Sequence, residues 1–115
     1  MKHDDEVTLG SDNIFADLGL PDAEEMIKKA PLALAITHAI QDQGLTEREA
    51  AERMGLEEPD VSDIVRGRLR GFSLGRLVDC LNALDRDVEM IIRAKDPRMP
   101  RAQFTIREAP PAVAA

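Results

Sequence analysis

The chain has no tryptophan, no tyrosine and only three phenylalanines in 115 residues. A core without large aromatics must be built from aliphatic side chains and methionine. There is one cysteine, Cys80, which excludes an internal disulfide. It sits inside the helical pattern LGRLVDCLNAL and reads as a small buried hydrophobe, not a nucleophile. No apolar run approaches the roughly twenty residues that span a bilayer, and the N-terminus is acidic where a secretory signal is basic. The expected partners therefore include no membrane, and the expected location is cytoplasmic. A glycine-rich phosphate loop, a Cys/His metal spacing and a Ser–His–Asp set are all missing, so no catalysis, metal or cofactor is expected. His3 is a lone terminal histidine without a role. His38 lacks a second ligand nearby and reads as a surface or half-buried residue. Asp60 and Asp63, three residues apart, are acids on a helix surface without a cleft to make them a catalytic pair.

Positive charge is also scarce. The net charge is −7, whereas proteins that bind nucleic acid usually carry a basic footprint. Distribution explains part of the deficit. The first twenty-five residues hold Asp4, Asp5, Glu6, Asp12, Asp17, Asp22, Glu24 and Glu25 against Lys2 alone. Such an acidic lead can screen a DNA site, attract a basic partner, or be a solvated terminus.

What the chain does contain is organised around residues 46–70, TEREAAERMGLEEPDVSDIVRGRLR. Thr46 followed by Glu49 is a capping box that opens a helix. Ala50, Ala51 and Met54 share one face of it. Gly55 supplies a left-handed stop, and Leu56 anchors the turn. A second helix starts near Glu58, with Pro59 tolerated in its first turn. Its inward face is Val61, Ile64 and Val65, and Gly67 closes it. Two helices that cross steeply need a small residue where backbones approach, a turn residue without a side chain, and a branched apolar wedge. Ala51, Gly55 and Val61 supply these in order. The pattern fits a DNA-type helix-turn-helix. The plainer alternative is an ordinary helical hairpin.

Flanking segments extend the pattern. SDNIFADLGLPDAEE precedes it, and GFSLGRLVDCLNALDRDVEMIIRAK follows. With Phe15-Ala16-Asp17-Leu18-Gly19, Val61-Ser62, Arg66-Gly67-Arg68, Gly71-Phe72-Ser73-Leu74 and Asp87-Val88-Glu89, the chain resembles the Xre/Cro-type regulators over residues 11–95. More narrowly, it is similar to a small branch containing antitoxins of HigA type and stand-alone regulators. The resemblance implies a mainly all-α fold: a lambda-repressor-like five-helix bundle with a short C-terminal β-strand or hairpin used in dimerisation. It divides the chain into an acidic segment 1–21, a helix-turn-helix domain 22–85, and C-terminal strands and tail 86–115.

The resemblance also places the second helix in the major groove, with its N-terminal residues on base edges. Those positions carry Glu57, Glu58, Pro59, Asp60, Ser62 and Asp63. The base-reading candidates are Glu58, Pro59, Asp60, Ser62 and Asp63. Carboxylates accept from cytosine amino groups but repel phosphates, and only Ser62 has neutral hydrogen-bonding chemistry. Relatives often carry Ser, Gln, Lys or Arg there. Compensation is expected from phosphate contacts by Arg66, Arg68 and Arg70 in the exit loop, with Arg48 and Arg53 from the preceding helix and Arg76 as an extension. The alternative for the exit arginines is favourable decoration of a helix C-terminus.

The rest of the chain supports this pair. Ile14, Phe15, Leu18 and Leu20 form an apolar cluster that docks as a helical turn. Asp22 with Glu25 caps a helix through Met26, Ile27 and Ala30, which Pro31 is expected to kink or break. A second segment buries Leu32, Ile36, Ala39 and Ile40 before Gly44. Ser73 caps a last helix with Leu74, Leu77, Val78, Leu81 and Leu84 on one face. Val88, Met90 and Ile92 then alternate as a strand. Its partner is either a second strand at 103–107 or the same strand of another subunit, which would make a homodimer. Pro97 and Pro100 mark the connection, and PPAVAA is tail.

Three functions are compatible with these residues. One is a dimeric, sequence-specific repressor that binds double-stranded DNA. The second is an antitoxin that neutralises a basic ribonuclease toxin and represses its own operon. The third is a protein-interaction module that has lost DNA binding.

Overall fold

Pro31 lies in the middle of the longest helix. The structure, a computed structural model, describes residues 23–110, and α1, Ala23–Asp42, runs unbroken through the proline. The break expected near Ala30 does not occur. Proline removes one intrahelical hydrogen bond and crowds the preceding turn, at a cost of about 3 kcal/mol. Burial on both sides offsets it. Ile27, Leu32, Ala33 and Ile36 are all buried, and a fully buried Leu or Ile contributes about 1.5–3 kcal/mol.

Three shorter helices follow: α2, Glu47–Met54, α3, Glu58–Val65, and α4, Leu74–Ala83. The described residues thus contain four helices where five were expected, because the two segments anticipated around Pro31 are one. The apolar cluster at Ile14–Leu20, His3, the Asp22–Glu25 cap and the tail after residue 110 fall outside the described residues or side chains.

Helix α1 packs against α4 and α3, and α2 packs against α3 and α4. Their shared core is aliphatic. Ile36, Val61, Ile64, Leu69, Leu77 and Leu84 are fully buried, with Ala39, Ala50, Ala51 and Leu81 filling between them. Among the described residues, Phe72 is the one buried aromatic. Cys80 is buried and free, and burial pushes its thiol above the ordinary range, partly countered by Arg76.

Beyond α4 the expected strand is absent. No strand forms among the described residues, and 86–96 carries no helix or turn. Val88, Met90, Ile91 and Ile92 are exposed. Strand backbone needs a neighbour for its N–H and C=O groups, and the described residues pair no strand with this segment. The chain then turns at Asp96, where the Met99 N–H donates to the Asp96 carbonyl at 3.0 Å. Pro97 occupies the second position, which favours such a turn. Arg98 donates to both Asp96 carboxylate oxygens, at 3.2 and 2.9 Å, and holds that carboxyl below the usual range. The last described residues return to the body. Ile106 packs on the core, and Glu108 Oε2 lies 2.7 Å from His38 Nδ1. His38 is therefore a half-exposed residue with a carboxylate partner.

Candidate nucleic-acid interface

The site begins with the turn between α2 and α3. Thr46 Oγ1 accepts from the Glu49 N–H at 3.0 Å, while Glu49 accepts from the Thr46 N–H at 2.9 Å. Both halves of the capping box are present, so the entry of α2 is set locally. Gly55 adopts φ 70°, a left-handed conformation that costs glycine least. That geometry lets the Leu56 N–H close on the Ala51 carbonyl at 2.9 Å. Ala51 and Val61 are both buried. The small residue and the branched wedge thus meet inside the angle between the helices.

Val61 and Ile64 point inward, and this orientation turns the rest of α3 outward. Glu58, Pro59 and Arg66 are exposed, and Asp60, Ser62 and Asp63 are half-buried. Val65, expected on the inward face, is 37% exposed. Two inward residues one turn apart already fill the space beneath a helix of this length, and Val65 falls to the side of that stripe. Asp60 has a structural task. Its Oδ2 accepts from the Glu57 N–H at 3.2 Å and satisfies a backbone donor at the helix start.

The exit loop folds back onto the helix. Arg66 Nη1 donates to Ser62 Oγ. Arg68 Nε donates to Asp63 Oδ1 at 3.0 Å, and the Arg68 N–H donates to the Asp63 carbonyl at 2.8 Å. Gly67, at φ 79°, permits this reversal. The acidic helix and the basic loop are therefore one surface. Two of its arginines are held against two of the base-reading candidates.

The loop is pinned from below. Leu69 is 1% exposed and Phe72 is buried. The Leu69 carbonyl accepts from the Phe72 N–H at 3.0 Å. It also accepts a long hydrogen bond, 3.4 Å, from Lys29 Nζ, an otherwise buried lysine on α1. Arg76 lies over the Phe72 ring, 5.6 Å from its centre, within cation–π range. Ser73 Oγ accepts from the Arg76 N–H at 3.1 Å and caps α4.

Ser62, Asp63, Arg66 and Arg68 are brought together, and Arg70 lies exposed on the same loop. Arg48 is exposed on α2. Arg53 is directed elsewhere. Its Nη1 donates to Gln43 Oε1 at 2.8 Å and lies 3.8 Å from Asp85 Oδ2. It ties α2 to the ends of α1 and α4. Lys29, Leu69 and Phe72 are positioning residues that the sequence reading passed over. A signal existed for Lys29, which shares the helical stripe of Leu32, Ala33 and Ile36.

Among the described residues no group of His, Cys, Asp and Glu is placed to hold a metal ion. Among the described residues, no helix is long and apolar enough to cross a membrane.

The chain matches the family described as a helix-turn-helix domain over residues 14–93. It is also similar to a solved structure described as an XRE family transcriptional regulator. The two share 42% identity and a TM-score of 0.72, over 77% of this chain and 100% of the other. No protein with a curated description matches. With the turn geometry of Ala51, Gly55 and Val61, the outward α3, and this likeness over most of its length, the chain belongs to the XRE family of helix-turn-helix regulators.

Proposed function

We propose that the protein is a sequence-specific transcriptional repressor that binds double-stranded DNA as a dimer. Helix α3 enters the major groove, with Glu58, Pro59, Asp60, Ser62 and Asp63 nearest the bases. Arg66, Arg68 and Arg70 lie along the phosphates, with Arg48 beside them. Arg53 contributes by fixing α2. The observation that carries this reading is the pairing of Arg66 with Ser62 and of Arg68 with Asp63. These contacts keep positive charge beside an otherwise acidic helix. A dimer contacts half-sites about 34–36 Å apart, and Val88, Met90 and Ile92 join the subunits.

The test is a mobility shift with the duplex upstream of the protein's own coding sequence, at low and high salt. Affinity falls on a log–log plot with a slope of about −0.9 per phosphate neutralised. Arg68→Ala weakens binding to every duplex, and Ser62→Ala changes the preferred sequence. Absence of binding at low salt overturns the reading and favours an interaction module that no longer uses DNA.

A second reading is favoured by the eight acidic residues against one lysine in the first twenty-five positions. A basic toxin is drawn to such a segment. On this reading the chain is an antitoxin of HigA type that also represses its own operon. Co-purification with a small basic protein encoded next to it tests the idea, and absence of such a neighbour removes it.

A further inference from the structure

Helix α3 buries Val61 and Ile64. At about 3.6 residues per turn, the stripe opposite them is Pro59, Ser62, Asp63 and Arg66. Pro59 and Arg66 are exposed, and Ser62 and Asp63 are half-buried. Arg66 is the C-cap of the helix, with φ −90° and ψ 4°. Side chains on a helix lean toward its N-terminal end, and Arg66 does so here. Its Nη1 donates to Ser62 Oγ, one turn back. The guanidinium therefore lies on the outward stripe and is drawn toward the end of α3 that carries the other base-reading candidates.

The two exit arginines are held in different ways. Arg68 sits beyond the left-handed Gly67, and the Asp63 carboxylate neutralises it. Arg66 is held by a hydroxyl, which carries no charge. Among the described residues it has no ion-pair partner, so its positive charge is intact. A guanidinium has several N–H donors in a fixed fork. With Nη1 turned to Ser62, the Nε–Nη2 edge keeps two parallel donors.

We infer that Arg66 reads a guanine and that Ser62 is its positioning residue. This rests on the reading of α3 as the groove helix, and it moves Arg66 from the phosphates to the bases. A helix about 10–12 Å across fills a major groove about 12 Å wide. Its flanks meet the phosphate walls, and the stripe opposite its buried face meets the base edges. Of the four bases, only guanine presents two acceptors there, O6 and N7. Adenine sets a donor beside its acceptor, thymine a methyl group, and cytosine offers a donor alone. Two parallel N–H groups on a rigid fork match guanine and no other base. Ser62 then shapes sequence preference through Arg66 and not by a base contact of its own.

The experiment uses the full chain and a duplex selected from a random library at low salt. Circular dichroism confirms that each variant is folded. The selected duplex is expected to hold a guanine whose replacement by adenine weakens wild-type binding about tenfold or more. Replacement by 7-deazaguanine, which lacks the N7 acceptor, weakens it less. Arg66→Ala loses about the same tenfold on the guanine duplex and is then indifferent to both replacements, with its salt slope unchanged. Arg68→Ala instead weakens every duplex and makes the slope shallower by about one. Ser62→Ala blunts the guanine preference, and Ser62→Thr, which keeps the hydroxyl, retains it. An Arg66→Ala loss that is equal on every duplex, with a shallower slope, makes Arg66 a phosphate contact. That result overturns the inference and leaves the groove reading standing. A guanine preference that survives Arg66→Ala or Ser62→Ala undiminished also overturns it. A wild-type chain that binds no duplex removes the groove reading itself, and the inference with it.

Discussion

Arg68 Nε donates to Asp63 Oδ1 at 3.0 Å, so a guanidinium from the exit loop is held by a carboxylate of the helix that precedes it. The pair is solvent-accessible, and exposed ion pairs of this kind contribute little to stability. Its effect falls on how much positive charge the surface offers to phosphate.

Asp63→Ala frees that charge and removes a negative one that repels phosphate. Affinity for all duplexes is expected to rise several-fold at low salt, with the salt slope steeper by about one. Fluorescence anisotropy across a salt series measures both quantities. A uniform loss of affinity would mean that Asp63 holds Arg68 in its binding posture.

Leu69→Ala removes the plug that seats the arginine loop. Truncating a fully buried leucine costs about 2–5 kcal/mol, and Leu69 is 1% exposed. Lys29→Met removes the donor to the Leu69 carbonyl, a long bond worth about 1 kcal/mol. Urea denaturation of both variants checks the order. Equal losses would deny Leu69 its anchoring role.

Thr46→Ala breaks the capping box at the start of α2. The expected cost is about 1 kcal/mol, read as a lower denaturation midpoint with an unchanged slope. An unaltered midpoint would show that packing of Ala50 and Ala51 alone sets that helix.

Cys80 tests the interior through pH. Burial raises its thiol pKa above the ordinary value, so the folded state favours the protonated form. The corresponding stability is fully present below the unfolded pKa, about 8.5. It is lost as pH rises through that value toward the folded one. Wild type should therefore lose stability relative to Cys80→Ala as pH rises above about 8.5. Native-state thiol labelling at neutral pH should be slow and should accelerate in urea. Immediate labelling of the folded chain would contradict the burial.

The local grammar of residues 46–70 was readable before any coordinates. Thr46, Glu49 and Gly55 act on backbone groups within a few positions of themselves, so the capping box and the left-handed turn follow from neighbours in sequence. The stripe Leu77, Leu81 and Leu84 was equally plain, because a helix repeats every 3.6 residues wherever it packs. The break expected at Pro31 does not occur, for the complementary reason. Its local cost is fixed, but what offsets it is the burial of Ile27, Leu32 and Ile36 against helices far along the chain. The strand expected at Val88–Ile92 failed because alternation only describes faces, while a strand exists when something pairs with it.

The same division runs through the site. Sequence alone determined that two short helices flank a glycine turn, that the second helix is acidic at the start, and that arginines follow it, since each is a property of adjacent residues. Only the tertiary structure decided that Asp60 is spent as a cap, that Arg53 is turned toward Gln43 and Asp85, and that Lys29 reaches Leu69 from beneath. Those are meetings between side chains separated along the chain or competing for one backbone group. Such a meeting depends on where the packed helices place each Cα, which no stretch of sequence carries by itself.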